Sequence, residues 1–295
     1  MPRYYLIVNP ESGSKKGQQI FERIKVIFEA AKIDIEAGIT QHKNHPYEMA
    51  RTIELDGIDA ICAIGGDGTF HEVINGMLDR DDGKRVAIGF IPGGTGNSLM
   101  HDFDCLDPMQ AAHNIVANRK AKMDIMELNA NGQRIYSFNI VGWGMPSSIN
   151  LLAEKMRWVG GQRYNLASVY EVMRNPSIKV QFIIDGQKIE GAYSLFLASN
   201  TMFTGNGMKM MPQARIDDGY IDIILAKKTK RLKLLSLFAR VFNGTHIGDP
   251  TLEIHRAKEF SILTANNDPL NIDGQNVGFS PLHGSVMENQ IEIFR

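Results

Sequence analysis

Hydrophobic periodicity changes part-way along this chain, near residue 120, and no fold with a single repeating pattern accommodates both halves. Before that point, short apolar runs at Tyr4–Val8, Ile33–Ile39, Ala60–Ile64 and Val86–Ile91 have the length and composition of buried strands. Between them, Gln18–Ala31, Pro46–Leu55 and Phe70–Met77 place apolar residues at helical intervals. Strand–helix alternation predicts a parallel sheet covered on both faces, a three-layer α/β domain whose ligands bind beyond the carboxyl ends of the strands. After it, Lys122–Asn129 and Gln133–Val141 flank Asn131-Gly132, and Lys179–Ile184 and Lys188–Tyr193 flank Asp185-Gly186. Both dipeptides favour the positive φ of tight turns, so each pair reads as a β-hairpin. Further strand-like runs follow at Ser194–Ser199, Tyr220–Leu225, Leu252–Arg256 and Phe260–Thr264. Helical patterns interrupt them only near 148–173 and 230–242, which predicts an antiparallel β-sandwich.

With 295 residues the chain is long enough for two such domains, each with its own core. A net charge of −1 excludes a broad basic field for nucleic acid. Cys62 and Cys105 supply neither zinc spacing nor a disulfide framework, as expected in a reducing cytoplasm. The start, MPRYYLIVNP, lacks the apolar core of a signal peptide, and no apolar stretch approaches the roughly 20 residues that span a bilayer. A cytoplasmic protein is expected, with any membrane contact peripheral.

Three glycine-rich segments fall where strands should end: Asn9–Gly17, Gly65–Thr69 and Pro92–Ser98. Glycine lets a backbone approach a ligand closely, and successive free N–H groups before a helix make a seat for phosphate. Neither common nucleotide fingerprint is present, since Asn9–Gly17 lacks the P-loop spacing and no G-x-G-x-x-G follows a strand. One such loop is an ordinary turn; three at one sheet edge point to a shared phosphate or nucleotide site. Within them Asp67, between Gly66 and Gly68, is a carboxylate suited to accepting a substrate proton or holding magnesium, or else to capping the next helix. Glu72 serves the metal or the helix dipole, and Thr69 and Thr95 either bind phosphate or cap.

Together Asn9-Pro10…Ser12-Gly13, Gly65-Gly66-Asp67-Gly68-Thr69…Glu72…Asn75-Gly76 and Gly94-Thr95-Gly96-Asn97 resemble the diacylglycerol kinase catalytic domain, whose superfamily includes sphingosine and ceramide kinases. Asp124, Gly205–Pro212, Asp218–Asp222 and Ile272-Asp273-Gly274 continue the resemblance along nearly the whole chain. It implies an ATP-binding domain over 1–122 and a lipid-substrate sandwich over 123–284, with the active site between them. Residues 285–295 would supply a final strand, Glu288–Phe294, returning to the first domain. By resemblance, ATP is held by Asn9, Pro10, Ser12, Gly13, Gly65, Gly66, Gly68, Thr69, Glu72, Gly94, Thr95, Gly96 and Asn97, with Thr40 beside it. Asp67 would act at the phosphoryl-transfer centre and Asp124 would help organise Mg2+.

Gly142-Trp143-Gly144 and the segment from Glu154 through Arg157 and Trp158 to Gly160 are similar to the sphingosine and ceramide kinase branch, which puts Trp143, Glu154 and Arg157 beside the lipid. A plain structural helix in which Glu154 pairs with Arg157 is the alternative. Two departures matter. Ser147-Ser148-Ile149-Asn150 lacks the aspartate expected to meet the amine of sphingosine, which favours ceramide or diacylglycerol as acceptor. Gln275 stands where the family commonly has a glutamate base, so either Asp67 would carry that role or proton removal would matter little. Lys227–Lys233 leads into the apolar run Leu234–Phe242, which either docks on an anionic membrane or packs on the sandwich. A homodimer is compatible with all of this. The rival functions are a kinase of a soluble acceptor, like NAD kinases and phosphofructokinases, and a lipid-binding protein whose catalysis is reduced or lost.

Overall fold

The computed structural model describes residues 1–205 and 207–295, with the backbone only for Ser14, Arg157 and Gly161. Its chain divides into two compact units, Met1–Asp124 with Glu288–Arg295, and Ile125–Met287.

The first unit is α/β. In order it comprises β1 (Arg3–Val8), α1 (Ser12–Lys15), α2 (Gly17–Ala30), β2 (Asp34–Ile39), α3 (His45–Thr52), β3 (Ala60–Gly65), α4 (Asp67–Leu78), β4 (Ala87–Pro92), α5 (Ser98–Asp102) and α6 (Pro108–Val116). The strands run parallel in the order β4-β3-β1-β2. β3 and β4 are central and buried at every residue, which is why both are continuous apolar runs. β2 lies at the edge, where exposed Asp34 and Glu36 bond Arg3 and discourage pairing with another chain. Sequence periodicity had left α6 unread. Asp107 starts it by accepting the Gln110 N–H at 2.9 Å, and Pro108 occupies its first position.

The second unit is a β-sandwich. It holds β5 (Lys120–Ala130), which begins in the first unit, then β6 (Gln133–Ser137), β7 (Ile140–Gly144), α7 (Met145–Lys155), α8 (Arg163–Arg174), β8 (Ile178–Ile184), β9 (Gln187–Ser199) and β10 (Ile221–Lys227). There follow α9 (Arg231–Val241), β11 (Leu252–Ala257), β12 (Glu259–Thr264), β13 (Pro269–Ile272), β14 (Gln275–Phe279) and β15 (Leu282–Phe294). Pairing is antiparallel through β14-β13-β7-β9-β8-β12-β15, with β10 and β11 added beside β9. The last strand re-enters the first unit, where Ile293 pairs parallel with Ile88 of β4. A stack of Trp143, Phe182, Tyr193, Phe196 and Phe260 fills the core, with ring centroids 5.1–5.8 Å apart. Burying each such ring stabilises the sandwich by about 2–3 kcal/mol.

Three expectations are corrected. Gln133–Val141 is not one strand: it breaks at Phe138 and Asn139, whose N–H groups turn to Asp273. Lys188–Tyr193 and Ser194–Ser199 are one strand, β9. The hairpin β13–β14, turning on Asp273 (φ 50°) and Gly274 (φ 81°), was missed.

Asp249, enclosed beside α9, accepts Lys233 at 2.5 Å and Arg240 at 3.0 Å. The Lys233 ammonium, helped by Thr251 and Arg240, holds its carboxyl well below the usual carboxylate range. A depressed folded-state pKa stabilises above the unfolded value, near 3.9, and this contribution is lost as pH falls through the folded one. Asp249→Asn is therefore expected to lower the melting temperature at pH 7, with the difference from wild type shrinking below about pH 4 in thermal melts.

Candidate active site

The three glycine-rich loops converge at the carboxyl ends of β1, β3 and β4. The first continues from β1 as Asn9–Lys16, the second joins β3 to α4, and the third joins β4 to α5. Asn9 Nδ2 donates to Thr69 Oγ at 2.9 Å, tying the first loop to the second. Gly93 and Gly94 both donate N–H to the Gly65 carbonyl, at 2.7 and 3.1 Å, tying the third loop to the second. Ser12 Oγ donates to the Asn9 carbonyl at 2.9 Å. The hydroxyls of Ser12 and Thr69 are thus engaged within the loops.

Much of the glycine content serves this mutual packing. A Cβ on Gly13, whose φ is +54°, would stand 2.0 Å from the Gly93 carbonyl oxygen. One on Gly94 would stand 2.5 Å from the Gly66 Cα. Both obstacles are backbone, so no rotamer change relieves them. Gly13→Ala is expected to destabilise the protein by ~2 kcal/mol or more, combining overpacking with a disfavoured φ, as measured by urea unfolding.

Asp67 is the first residue of α4, and the third loop holds its carboxylate. Ser98 donates its N–H to Oδ1 at 2.6 Å and its hydroxyl to Oδ2 at 3.2 Å. The third loop also leaves a run of free donors. Asn97 sits at φ 50°, its side chain bonded both ways to Gly94. Within the described residues the N–H groups of Thr95, Gly96 and Asn97 have no hydrogen-bond acceptor. Three successive free N–H groups ending in a left-handed residue form a concavity suited to an anion.

Thr40 is buried just past β2 and donates its N–H to the Val8 carbonyl at 2.9 Å, which puts it at the same sheet edge. Glu72 lies one turn into α4. Burial pushes its carboxyl up, opposed chiefly by the Asn44 N–H. The loop after Thr40 carries a cluster the sequence reading did not single out: His42, His45 and Glu48, with nitrogens and oxygens within 4.8 Å of one another. The two rings stack at 4.6 Å and 11°, so their in-plane lone pairs run side by side and do not converge on one ion. Pro10 is half-buried in the first loop, and Lys15 lies exposed, 3.7 Å from Glu11.

Asp124 is fully buried, and its Oδ1 accepts the Asn289 N–H at 2.7 Å, which fastens the returning end of β15 within the first unit. In the second unit, Trp143, expected at the lipid, is a core residue. It has no exposed surface, packs edge-on against Phe182 at 5.8 Å and donates its indole N–H to Asp268. Glu154 lies 3.8 Å from Arg163, one helix further on; the Arg157 side chain lies outside the described residues. The expected continuous helix also ends at Lys155, followed by a 3-10 segment, Arg157–Gln162, bent at Gly160. Gln275 opens β14 opposite Ile272.

Sequence comparisons point to one family, and solved structures share its fold. Residues 3–128 match the diacylglycerol kinase catalytic domain, and residues 139–295 match the YegS C-terminal NAD kinase beta sandwich-like domain. The chain is 25% identical to sphingosine kinase 1 of Arabidopsis thaliana, over 88% of this chain and 64% of that protein. Its length therefore spans less than two thirds of the plant relative. It is 28% identical to diacylglycerol kinase of Staphylococcus carnosus, over 99% of this chain and 94% of that one. A crystal structure of a diacylglycerol kinase from Bacillus anthracis shares the fold, with a TM-score of 0.81, 23% identity, and coverage of 99% of this chain and 96% of that chain.

Proposed function

The chain belongs to the lipid kinase superfamily, and from that membership we propose that it transfers the γ-phosphate of ATP to a hydroxyl group of a lipid. One observation carries this reading beyond the family name. A carboxylate at the head of α4, Asp67, is fixed by the same loop that leaves the N–H groups of Thr95, Gly96 and Asn97 free. A proton acceptor beside an anion seat is what phosphoryl transfer to an alcohol needs.

In the proposed reaction the lipid hydroxyl oxygen forms a bond to the γ-phosphorus. The bond from that phosphorus to the bridging oxygen breaks, ADP leaves, and the hydroxyl proton passes to Asp67. The third loop and the start of α4 orient the phosphates through backbone N–H groups. Magnesium is bound through one or two carboxylates together with phosphate oxygens, and Asp67 and Asp124 are hard oxygen donors of the right kind. When bound, it would supply charge neutralisation on the phosphate oxygens.

A neutral acceptor, ceramide or diacylglycerol, is favoured over a protonated amine. The polar side chains in Ser147–Asn150 are uncharged, and two are already engaged: Ser147 donates to the Gly142 carbonyl at 3.0 Å, and Asn150 to the Gly274 carbonyl at 2.8 Å. Transfer of labelled phosphate from ATP to sphingosine, ceramide, diacylglycerol and monoacylglycerol in mixed micelles tests the reading. Because Asp67 takes the proton in this scheme, Gln275→Glu is expected to change kcat by less than about tenfold, a small part of the range general-base catalysis supplies. A larger gain would move the base to position 275.

A further inference from the structure

We propose that His45 is a pH-sensitive positioning residue for the nucleotide: its ring closes the turn that follows Thr40, and does so only while neutral. The inference rests on the reading that ATP lies at the carboxyl edge of the first unit's sheet, and it adds what holds one side of that edge in shape.

Thr40 is buried, and its N–H donates to the Val8 carbonyl at 2.9 Å. In a parallel ladder the Thr40 carbonyl would in turn accept the N–H of residue 10, but that residue is Pro10 and has none. Among the described residues this carbonyl accepts no hydrogen bond, so it is available to a donor on a ligand at the same edge. The direction in which it points is set by the next peptide.

The chain leaves the sheet through Gln41, His42, Lys43 and Asn44, all exposed, and enters α3 at His45. Two hydrogen bonds close this turn. The His45 N–H donates to the His42 carbonyl at 3.3 Å, and the Gln41 N–H donates to His45 Nδ1 at 3.0 Å. The shorter one falls on the peptide that joins Thr40 to Gln41. A peptide is planar, so fixing the Gln41 N–H also fixes the Thr40 carbonyl.

The same bond dictates where the ring carries its proton. An N–H donor needs a lone pair, so Nδ1 is bare and the proton of the neutral ring is on Nε2. Protonating Nδ1 would set two donors against each other and open the turn. The neighbouring ring has the opposite tautomer: His42 Nδ1 donates to the Lys43 carbonyl at 2.8 Å, which leaves Nε2 facing Glu48 at 3.7 Å. The rings lie 4.6 Å apart and 11° from parallel, so two imidazolium ions would meet face to face. The charged and titratable groups around this turn are His42, Lys43, Glu48 and, from α4, His71 and Glu72. Whatever their balance, a protonated Nδ1 has no lone pair for the Gln41 N–H.

Three forms of the full chain test this: wild type, His45→Ala and His45→Asn. Asparagine offers an oxygen in place of Nδ1, accepts the same bond and does not titrate. Two readouts are taken without lipid, exchange of the Gln41 amide hydrogen and affinity for ATP with magnesium. Each is measured at about pH 7.5 and about pH 5.5, a range over which histidine changes charge. At the higher pH, His45→Ala should lose Gln41 protection and bind ATP roughly threefold to tenfold more weakly, the effect of losing one hydrogen bond. His45→Asn should restore both. At the lower pH the wild type should fall behind His45→Asn by a similar factor; titration of ATP itself cancels, because the two are compared at one pH. Circular dichroism of all three should coincide, since the turn lies at the surface. The proposal is overturned if His45→Ala keeps Gln41 protected or binds ATP as the wild type does. It is also overturned if wild type and His45→Asn respond to pH alike. A wild type that binds no ATP would overturn the reading of the whole site, which sets that failure apart.

Discussion

Asp67→Asn is expected to lower kcat for phosphate transfer by about 10²–10⁴-fold, the range for losing a positioned general base, while the protein stays folded. Both halves of that expectation come from the same contacts. Ser98 donates to both carboxylate oxygens of Asp67. Asparagine keeps one oxygen as acceptor for the 2.6 Å bond from the Ser98 N–H, so the link between α4 and the third loop survives. What asparagine lacks is the negative charge and the capacity to take a proton. The pair of measurements is kcat with saturating ATP and lipid, and circular dichroism of the same sample. Near-normal turnover in a folded variant would remove Asp67 from the chemistry and leave it as a loop clamp.

The second large effect falls on stability. Asp273 is 2% exposed and accepts four donors from one stretch of chain. Ser137 Oγ stands at 2.7 Å from Oδ1, the N–H groups of Asn139 and Ile140 at 2.9 and 3.0 Å from the same oxygen, and the Phe138 N–H at 3.2 Å from Oδ2. The carboxylate thus supplies an acceptor to the N–H groups at the break between β6, which pairs with β5, and β7, which pairs with β9 and β13. Asp273→Ala would leave the buried N–H groups of Phe138, Asn139 and Ile140 without that acceptor at once, while the Ser137 hydroxyl still reaches the Ile140 carbonyl at 3.1 Å. The expected cost is roughly 3–5 kcal/mol, since unsatisfied buried groups carry their full desolvation penalty. That is a large share of the stability of a typical domain. Urea unfolding of the variant checks it; a loss below about 1 kcal/mol would mean that water replaces the carboxylate. Asp273→Asn, which keeps an acceptor oxygen, should be milder.

These two aspartates show where the sequence was legible and where it was not. Asp67 was conspicuous because flanking glycines and a preceding apolar run mark a strand-to-helix loop locally. Asp273 was noticed only as part of a motif, because its four donors lie about 135 residues away in sequence. The same non-local contact explains the broken strand at Phe138–Asn139, since nothing in the alternation of Gln133–Val141 announces a carboxylate from elsewhere. The first unit was read well because parallel strands buried on both faces are continuous apolar runs of fixed length. Trp143 was misplaced because a tryptophan between two glycines reads equally as a pocket wall or as a core residue, and only the Phe182 and Asp268 contacts decide. The glycines were recognised as permitting close approach, but the partner at Gly13 and Gly94 turned out to be another loop of the protein.

The central claim is that this chain phosphorylates a lipid hydroxyl, and labelled transfer from ATP to a lipid panel in mixed micelles tests it most directly. The account predicts magnesium-dependent labelling of a neutral acceptor, ceramide or diacylglycerol, which disappears in the Asp67→Asn variant. A chain that binds ATP and magnesium yet labels none of the lipids, or labels them equally well with Asp67→Asn, would contradict it.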